Sequence, residues 1–414
     1  MRKIFTSIDI GTDSIKIVCL EFFNKKYNCL ASVKVPSNGV KQGLIINAEK
    51  VSNAIKKGIK EIESKLGTKI TKVLAIVPSN NVNFNIVSSN NEVDTENNII
   101  DGDVIFNSLQ KSLKNNIDKN LEVVTIMPIE YKLDNDKLVK NPLKMQSKTL
   151  SVKAVASSVP KKNVYSVVGI IENLGIEVID IVFSSVGAYY SIKTPDLDNK
   201  VVGLIDIGCE TTKIAVFNKG IMIKEKIMLM GGNNIDSDIS FNYKTEEIES
   251  KRIKETFAVA NRKYADSDET ITCIDRNGQE VSINQYSLSE IIEAKCVEML
   301  KNAKNELNNL TNREIGYIII TGGITSMLGF DAIVEELYVR GSTVINLGVV
   351  GLRDNKYASS FGTIKYFNEK LKLRDKEYTM LSEEEIEEML STRKKVSSLG
   401  VLSKVFKIFE GDDK

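Results

Sequence analysis

No histidine occurs anywhere in the 414 residues. That removes imidazole as general base, metal ligand or pH switch, and with it any Ser-His-Asp or Cys-His mechanism. Cysteine is scarce: Cys19, Cys29, Cys209, Cys273 and Cys296 are odd in number and scattered, and no CxxC pair occurs. This argues against structural zinc and a disulfide framework, and for small apolar side chains in a reducing compartment. No stretch approaches the ~20 apolar residues that cross a bilayer. The opening MRKIFTSIDIG lacks the apolar core and cleavage site of a secretory signal, so the expectation is a protein made and kept inside the cell. A net charge of +1 gives no global field toward nucleic acid or acidic partners. Neither GxxxxGK(S/T) nor GxGxxG follows a strand, so two common phosphate cradles are missing.

What is present is a repeat. Hydrophobic (42%) and charged (27%) contents are those of a soluble globular chain, and the length asks for two or more domains. Residues 8–17, IDIGTDSIKI, align without a gap on residues 205–214, IDIGCETTKI. Asp9 meets Asp206, Gly11 meets Gly208, Asp13 meets Glu210, Ser14 meets Thr211 and Lys16 meets Lys213. β-type runs flank each copy, so both read as strand–loop–strand hairpins with an acid at the end of the first strand. The glycines let backbone approach a ligand. The hydroxyls of Thr12, Ser14, Thr211 and Thr212, with nearby N–H groups, can donate to phosphate oxygens. Asp9 and Asp206 would repel phosphate unless a hydrated Mg²⁺ lay between. Two such hairpins facing each other describe a nucleotide cleft between two similar domains.

These paired hairpins resemble the phosphate motifs of the actin, Hsp70 and sugar-kinase superfamily. A third motif agrees: IGYIIITGGI (315–324) is a buried-type strand ending in Gly322-Gly323, similar to the superfamily's adenosine motif. The resemblance implies ATP and Mg²⁺ as ligands, with Gly11, Thr12, Ser14, Lys16, Gly208, Thr211 and Thr212 on the phosphates. It places Gly322, Gly323, Ile324 and Met327 at the adenosine, and Asp9 and Asp206 on the metal through water. Asp206 is also the candidate catalytic residue. As an ordinary carboxylate near pKa ~4 it is a poor base, so ATP hydrolysis is expected to be weak at most.

Several segments resemble the FtsA family of bacterial cell-division proteins. MLMGGNNIDSDIS (228–240) is similar to its glycine pair beside the nucleotide, which implicates Gly231, Gly232 and Asn233. TEEIESKR (245–252) resembles its E-x-x-K helix, which implicates Glu249 and Arg252. An alternative register puts Lys251 or Lys254 in that role, and an exposed i,i+3 ion pair is the structural alternative for Glu249 and Arg252.

The resemblance implies an α/β, actin-like (ribonuclease H-like) duplicated two-domain fold. Subdomain 1A would span 1–78 and 158–198, an FtsA-type 1C insertion 79–157, subdomain 2A 199–230 and 313–367, and subdomain 2B 231–312. A flexible linker (368–398) would lead to an amphipathic membrane helix (399–411). In that last segment Leu399, Val401, Leu402, Val405, Phe406, Ile408 and Phe409 fill one side of the helical wheel, opposite Lys404 and Lys407. The implied partners are the FtsZ C-terminal peptide, with Lys295 in contact, further copies of the chain, the membrane surface and other division proteins. No nucleic acid is expected. A pilus-assembly adaptor or a small-metabolite kinase on the same fold is the alternative.

Overall fold

The structure is a computed structural model and describes residues 2–114, 116–338 and 341–390. The first half opens with strands β1 (Lys3–Ile10), β2 (Ser14–Phe23) and β3 (Lys26–Pro36). Asn24 and Lys25 turn the chain between β2 and β3 at positive φ. A two-residue ribbon, β4 (Val40–Lys41) and β5 (Leu44–Ile45), precedes helix α1 (Ala48–Leu66). Asn47 caps α1 by accepting from Lys50 N–H at 2.9 Å, and Gly67 closes it at φ 76°. Val51, Ile55, Ile59, Ile62 and Leu66 recur at helical spacing and are buried against the sheet, each stabilising by about 1.5–3 kcal/mol. Strand β6 (Lys72–Val77) follows.

An inserted unit then begins. It comprises β7 (Asn83–Glu92), helix α2 (Gly102–Leu113), β8 (Leu121–Leu133), β9 (Leu138–Val139) and β10 (Thr149–Pro160). These strands form a separate sheet in the order β7-β10-β8-β9, with its own core around Val87, Ile105, Tyr131 and Val152. The chain returns through α3 (Lys161–Glu172), β11 (Glu177–Phe183) and α4 (Ser184–Ile192).

The second half repeats the first. Strands β12 (Val201–Ile207), β13 (Thr212–Asn218) and β14 (Ile221–Met228) precede α5 (Gly232–Tyr243) and α6 (Glu247–Thr256). A hairpin, β15 (Thr270–Ile274) and β16 (Glu280–Asn284), leads into the long α7 (Gln285–Leu310). Then come β17 (Tyr317–Gly322), α8 (Phe330–Tyr338), β18 (Ser342–Val344) and α9 (Ala358–Leu373). The two main sheets have the same order, β11-β6-β1-β2-β3 and β18-β17-β12-β13-β14. In each, the first strand pairs antiparallel with the second and parallel with its neighbour on the other side.

Helices α4 and α9 cross between the two sheets, and the core runs unbroken from one sheet through them to the other. The crossing is glycine against glycine. A Cβ on Gly362 would stand 1.7 Å from the Gly187 carbonyl oxygen, and one on Gly187 would stand 2.3 Å from that of Ser359. Tyr189 stacks on Phe217 of the second sheet at 4.2 Å, while Tyr190 meets Tyr366 edge-on at 4.8 Å.

The linker expected from residue 368 is corrected in part. α9 continues to Leu373, and Met380, Leu381, Ile386 and Met389 are buried in the first-half core. Met380 N–H donates to Ile4 C=O at 2.9 Å. Residues 383–390 are helical, and Ser382 with Glu385 forms a capping box. Apolar side chains spaced among the acids supply the anchor that the charge pattern concealed. The amphipathic segment 399–411 lies outside the described residues.

Gly362→Ala is expected to destabilise by about 3 kcal/mol or more, because backbone and not a movable side chain occupies the Cβ position. Gly169, on α3, has open space at that position; Gly169→Ala should be neutral or stabilising by up to about 1 kcal/mol. Denaturant midpoints of the two variants check the contrast.

Candidate functional site

The two repeat hairpins face each other. Asp9 pairs with Lys16 across β1 and β2, and Asp206 occupies the equivalent register against Lys213. Each loop closes with the same turn: Gly11 N–H donates to Ser14 C=O at 3.1 Å, and Gly208 N–H to Thr211 C=O at 2.9 Å. A Cβ on either glycine would lie 2.9 Å from that acceptor oxygen, so the turn itself requires glycine. Between the loops lies a cleft of about 540 Å³, the size of a small-molecule site.

Lys16 Nζ donates to Asp9 Oδ2 at 3.1 Å. Burial works against the Lys16 charge, but the Asp9 carboxylate outweighs it, so the ammonium titrates above its ordinary range. Lys213 donates to Ser184 Oγ at 2.6 Å, tying the second hairpin to the start of α4. Burial raises the Asp206 carboxyl above its usual range against the pull of Lys213 and Lys16, with Asp9 adding to the rise. The expectation of an ordinary Asp206 pKa is therefore corrected: the strand end that aims it at the cleft also removes it from water.

Gly11, Thr12, Ser14, Lys16, Gly208, Thr211, Gly232, Gly322, Gly323, Ile324 and Met327 line the cleft with Asp9 and Asp206. Thr12 Oγ1 accepts from Gly43 N–H at 3.1 Å, which leaves its own proton free to donate. Gly322 packs on β12 at φ 117°, where a Cβ would lie 2.0 Å from Ile207 C=O. Gly323 faces open space.

Other expected contacts stand behind the cleft wall. Thr212 donates its hydroxyl to Met230 C=O at 2.7 Å, so the expected phosphate contact is corrected to a structural one. Gly231 sits where a Cβ would lie 2.5 Å from Cys209 C=O, and Asn233 N–H donates to that carbonyl at 2.8 Å. These two residues brace the loop between β12 and β13 from behind. Glu249 and Arg252 bond each other at 2.9 Å on the outer face of α6 and do not line the cleft. Lys251 and Lys254 line the cleft instead: α6 buries Ser250, Ile253 and Lys254, which turns Glu249 and Arg252 outward. Lys254 Nζ donates to Gly232 C=O at 3.0 Å and to Asp236 at 2.8 Å, fixing the glycine pair. Lys295 lies on α7, paired with Glu298 at 2.7 Å and Asp238 at 3.1 Å.

Lys34, Lys356, Asp354 and Ser184 line the cleft without having been singled out from sequence, and Lys213 lines it as well. Lys213 was legible, since it is the repeat equivalent of Lys16. Lys34 comes in from β3, and no motif marks it.

The type IV pilus assembly protein PilM family model matches residues 7–264, and the cell division protein FtsA model matches residues 203–362. The FtsA of Bacillus subtilis is 27% identical over 368 residues, covering 88% of this chain and 83% of that protein. The FtsA of Enterococcus hirae is 23% identical, covering 87% of this chain and 82% of the relative. The chain belongs to the family of the type IV pilus assembly protein PilM model. FtsA proteins are its relatives along most of its length, and it is an actin-like cell-division protein. Among solved structures, a PilM–PilN type IV pilus biogenesis complex has TM-score 0.58 at 11% identity, covering 89% of this chain and 98% of that one. MreB5 of Spiroplasma citri bound to ADP has TM-score 0.53 at 13% identity, covering 90% and 99%. At those identities they bear on the fold alone.

Gly323→Leu should leave the fold intact and sharply weaken nucleotide binding, because its side chain would project into the cleft. Gly322→Ala should instead cost about 3 kcal/mol of stability through its positive φ and the Ile207 clash. Nucleotide titration beside thermal melting separates the two effects; equal affinity in Gly323→Leu and the parent would overturn the assignment.

Proposed function

We propose that the chain binds MgATP in this cleft, assembles with further copies of itself, and holds FtsZ at the cytoplasmic face of the membrane at the division site. The observation that carries the nucleotide reading is the pair of hairpins, alike in register, turn and carboxylate, that face each other across the cleft. Gly11 and Gly208 bring backbone close to the phosphates, Thr12 and Thr211 offer hydroxyl donors, and Lys16 supplies a fixed positive charge. No cluster of three or more acid, cysteine or histidine ligands occurs among the described residues. Asp9 and Asp206 alone would hold a cation weakly, which suits Mg²⁺ that keeps its waters and shares phosphate oxygens. Bound Mg²⁺ would supply neutralising charge between carboxylates and phosphates. Asp206 remains the candidate catalytic carboxylate, a better base than an ordinary acid because its carboxyl is raised. Hydrolysis is weak at most on this reading, because Lys213 and Lys16 stand beside it and oppose that rise.

The subdomain division proposed from sequence assigns the FtsZ peptide to residues 231–312. A contact at Lys295 would exchange an existing ion pair with Glu298 or Asp238 for one with the peptide. The membrane anchor is residues 399–410, with Leu399, Leu402, Val405, Phe406 and Phe409 opposite Lys404 and Lys407. One copy would bind modestly, and polymerisation would multiply the attachment. No helix among the described residues is long and apolar enough to cross a membrane.

A pilus-assembly adaptor is the second reading, favoured by the PilM model over residues 7–264. Binding of an FtsZ C-terminal peptide distinguishes the two, and absence of binding would favour the adaptor. Phe406→Glu with Phe409→Glu should release the chain from anionic liposomes while ATP affinity stays unchanged. If the double variant still sediments with the vesicles, the anchor lies elsewhere.

A further inference from the structure

Asp13 and Glu210 occupy the same position in the two repeats, and each makes a bond to the opposite half. Asp13, in the loop between β1 and β2, accepts from Lys251 Nζ on α6 of the second half. Glu210, in the loop between β12 and β13, accepts from the backbone N–H of Gln42 in the first half at 2.6 Å. Each repeat therefore sends its loop carboxylate across the cleft to the opposite half. Lys34 stands 3.5 Å from the second Asp13 oxygen, and burial of Asp13 is outweighed by Lys251, which holds the carboxyl below its usual range.

The acceptor side of the second tie is built for it. Gln42 sits at φ 51° in the turn of the β4–β5 ribbon, which turns its N–H toward Glu210. The neighbouring Gly43 N–H bonds Thr12, and Asn80 Nδ2 donates to Gln42 C=O at 3.3 Å, so the ribbon is pinned on both sides. Gly11, Thr12, Gly208 and Thr211 belong to the same two loops as the ties, and all line the cleft. The α4–α9 crossing joins the halves elsewhere. We propose that Asp13–Lys251 and Glu210–Gln42 are reciprocal clasps that hold the two halves together over the phosphate end of the cleft and set how long a nucleotide stays. The proposal rests on the nucleotide reading of this cleft.

The physics separates the clasps. Asp13–Lys251 is an ion pair with side chains 24% and 39% exposed, so water and salt weaken it. Both bonds are charge-assisted, but the Glu210–Gln42 donor is fixed backbone, so no flexible lysine chain has to be held in place and only one partner carries a charge that salt can screen. Raising the ionic strength should loosen the first and leave most of the second.

The test is stopped-flow release of a fluorescent ATP analogue, with Mg²⁺, from the full chain. Glu210→Ala should speed release by about tenfold, and Asp13→Ala by about threefold with a diminished effect at high salt. Lys251→Met should match Asp13→Ala, and combining those two should add nothing, since they break one tie. Asp13→Ala with Glu210→Ala should multiply the effects, since they break different ties. Release unchanged in both single alanine variants overturns the clasps. So does acceleration by Lys251→Met without acceleration by Asp13→Ala, because Lys251 would then be acting on the nucleotide itself. Failure of the parent chain to bind the analogue refutes the nucleotide reading instead, and with it the clasps' role in nucleotide residence.

Discussion

The close crossing of α4 and α9 is the constraint on which the rest depends. Two helices can approach until backbone meets backbone only where neither carries a side chain, and here Gly187 and Gly362 are those positions. The crossing lets one apolar core serve two sheets, with Tyr189 stacked on Phe217 and Tyr190 against Tyr366. It also sets the distance between the strand ends of β1 and β12. The cleft exists because two similar sheets are held face to face at a separation that glycine dictates.

That separation brings like charges together. Asp9 and Asp206 end equivalent strands, and burial with the neighbouring Asp9 drives the Asp206 carboxyl upward. The fold compensates with Lys16 and Lys213, one from each hairpin, at the same register. The cleft is therefore neither a bare acid pair nor a free basic pocket. Its lysines are engaged: Lys16 with Asp9, Lys254 with Asp236, Lys251 with Asp13. A polyphosphate entering it exchanges partners more than it adds charge.

Sequence pattern revealed the duplication, α1, the strand before Gly322-Gly323 and most of the phosphate loops, because each is a local signal: a gapless repeat, a helical period, a glycine that a turn requires. It failed where orientation depends on packing. Glu249 and Arg252 have the right residue types, but Ile253 and Lys254 bury the other face of α6 and turn them to solvent. Thr212 has the right hydroxyl, but strand alternation points it to Met230. Helix α2 lies in Asn-rich text whose polarity hid its buried Ile105 and Leu109. The acidic run 382–390 hid Ile386 and Met389 in the same way.

α9 carries the consequence of the crossing furthest. The turn before it and its first residues, Asn355, Lys356 and Ser359, line the cleft, and Asn355 donates to Thr325 at 2.8 Å. Its middle is Gly362, at the crossing. Its far end meets helix α2 of the inserted unit, where a Cβ on Gly102 would lie 1.9 Å from Arg374 C=O and the Arg374 guanidinium stands 4.0 Å over the Phe106 ring. Lys376 with Asp103 at 2.8 Å and Lys144 with Asp375 at 3.0 Å fasten the same junction. A 16-residue helix spans about 24 Å as one hydrogen-bonded rod. Cleft, crossing and insertion are thus three stations on one stiff element.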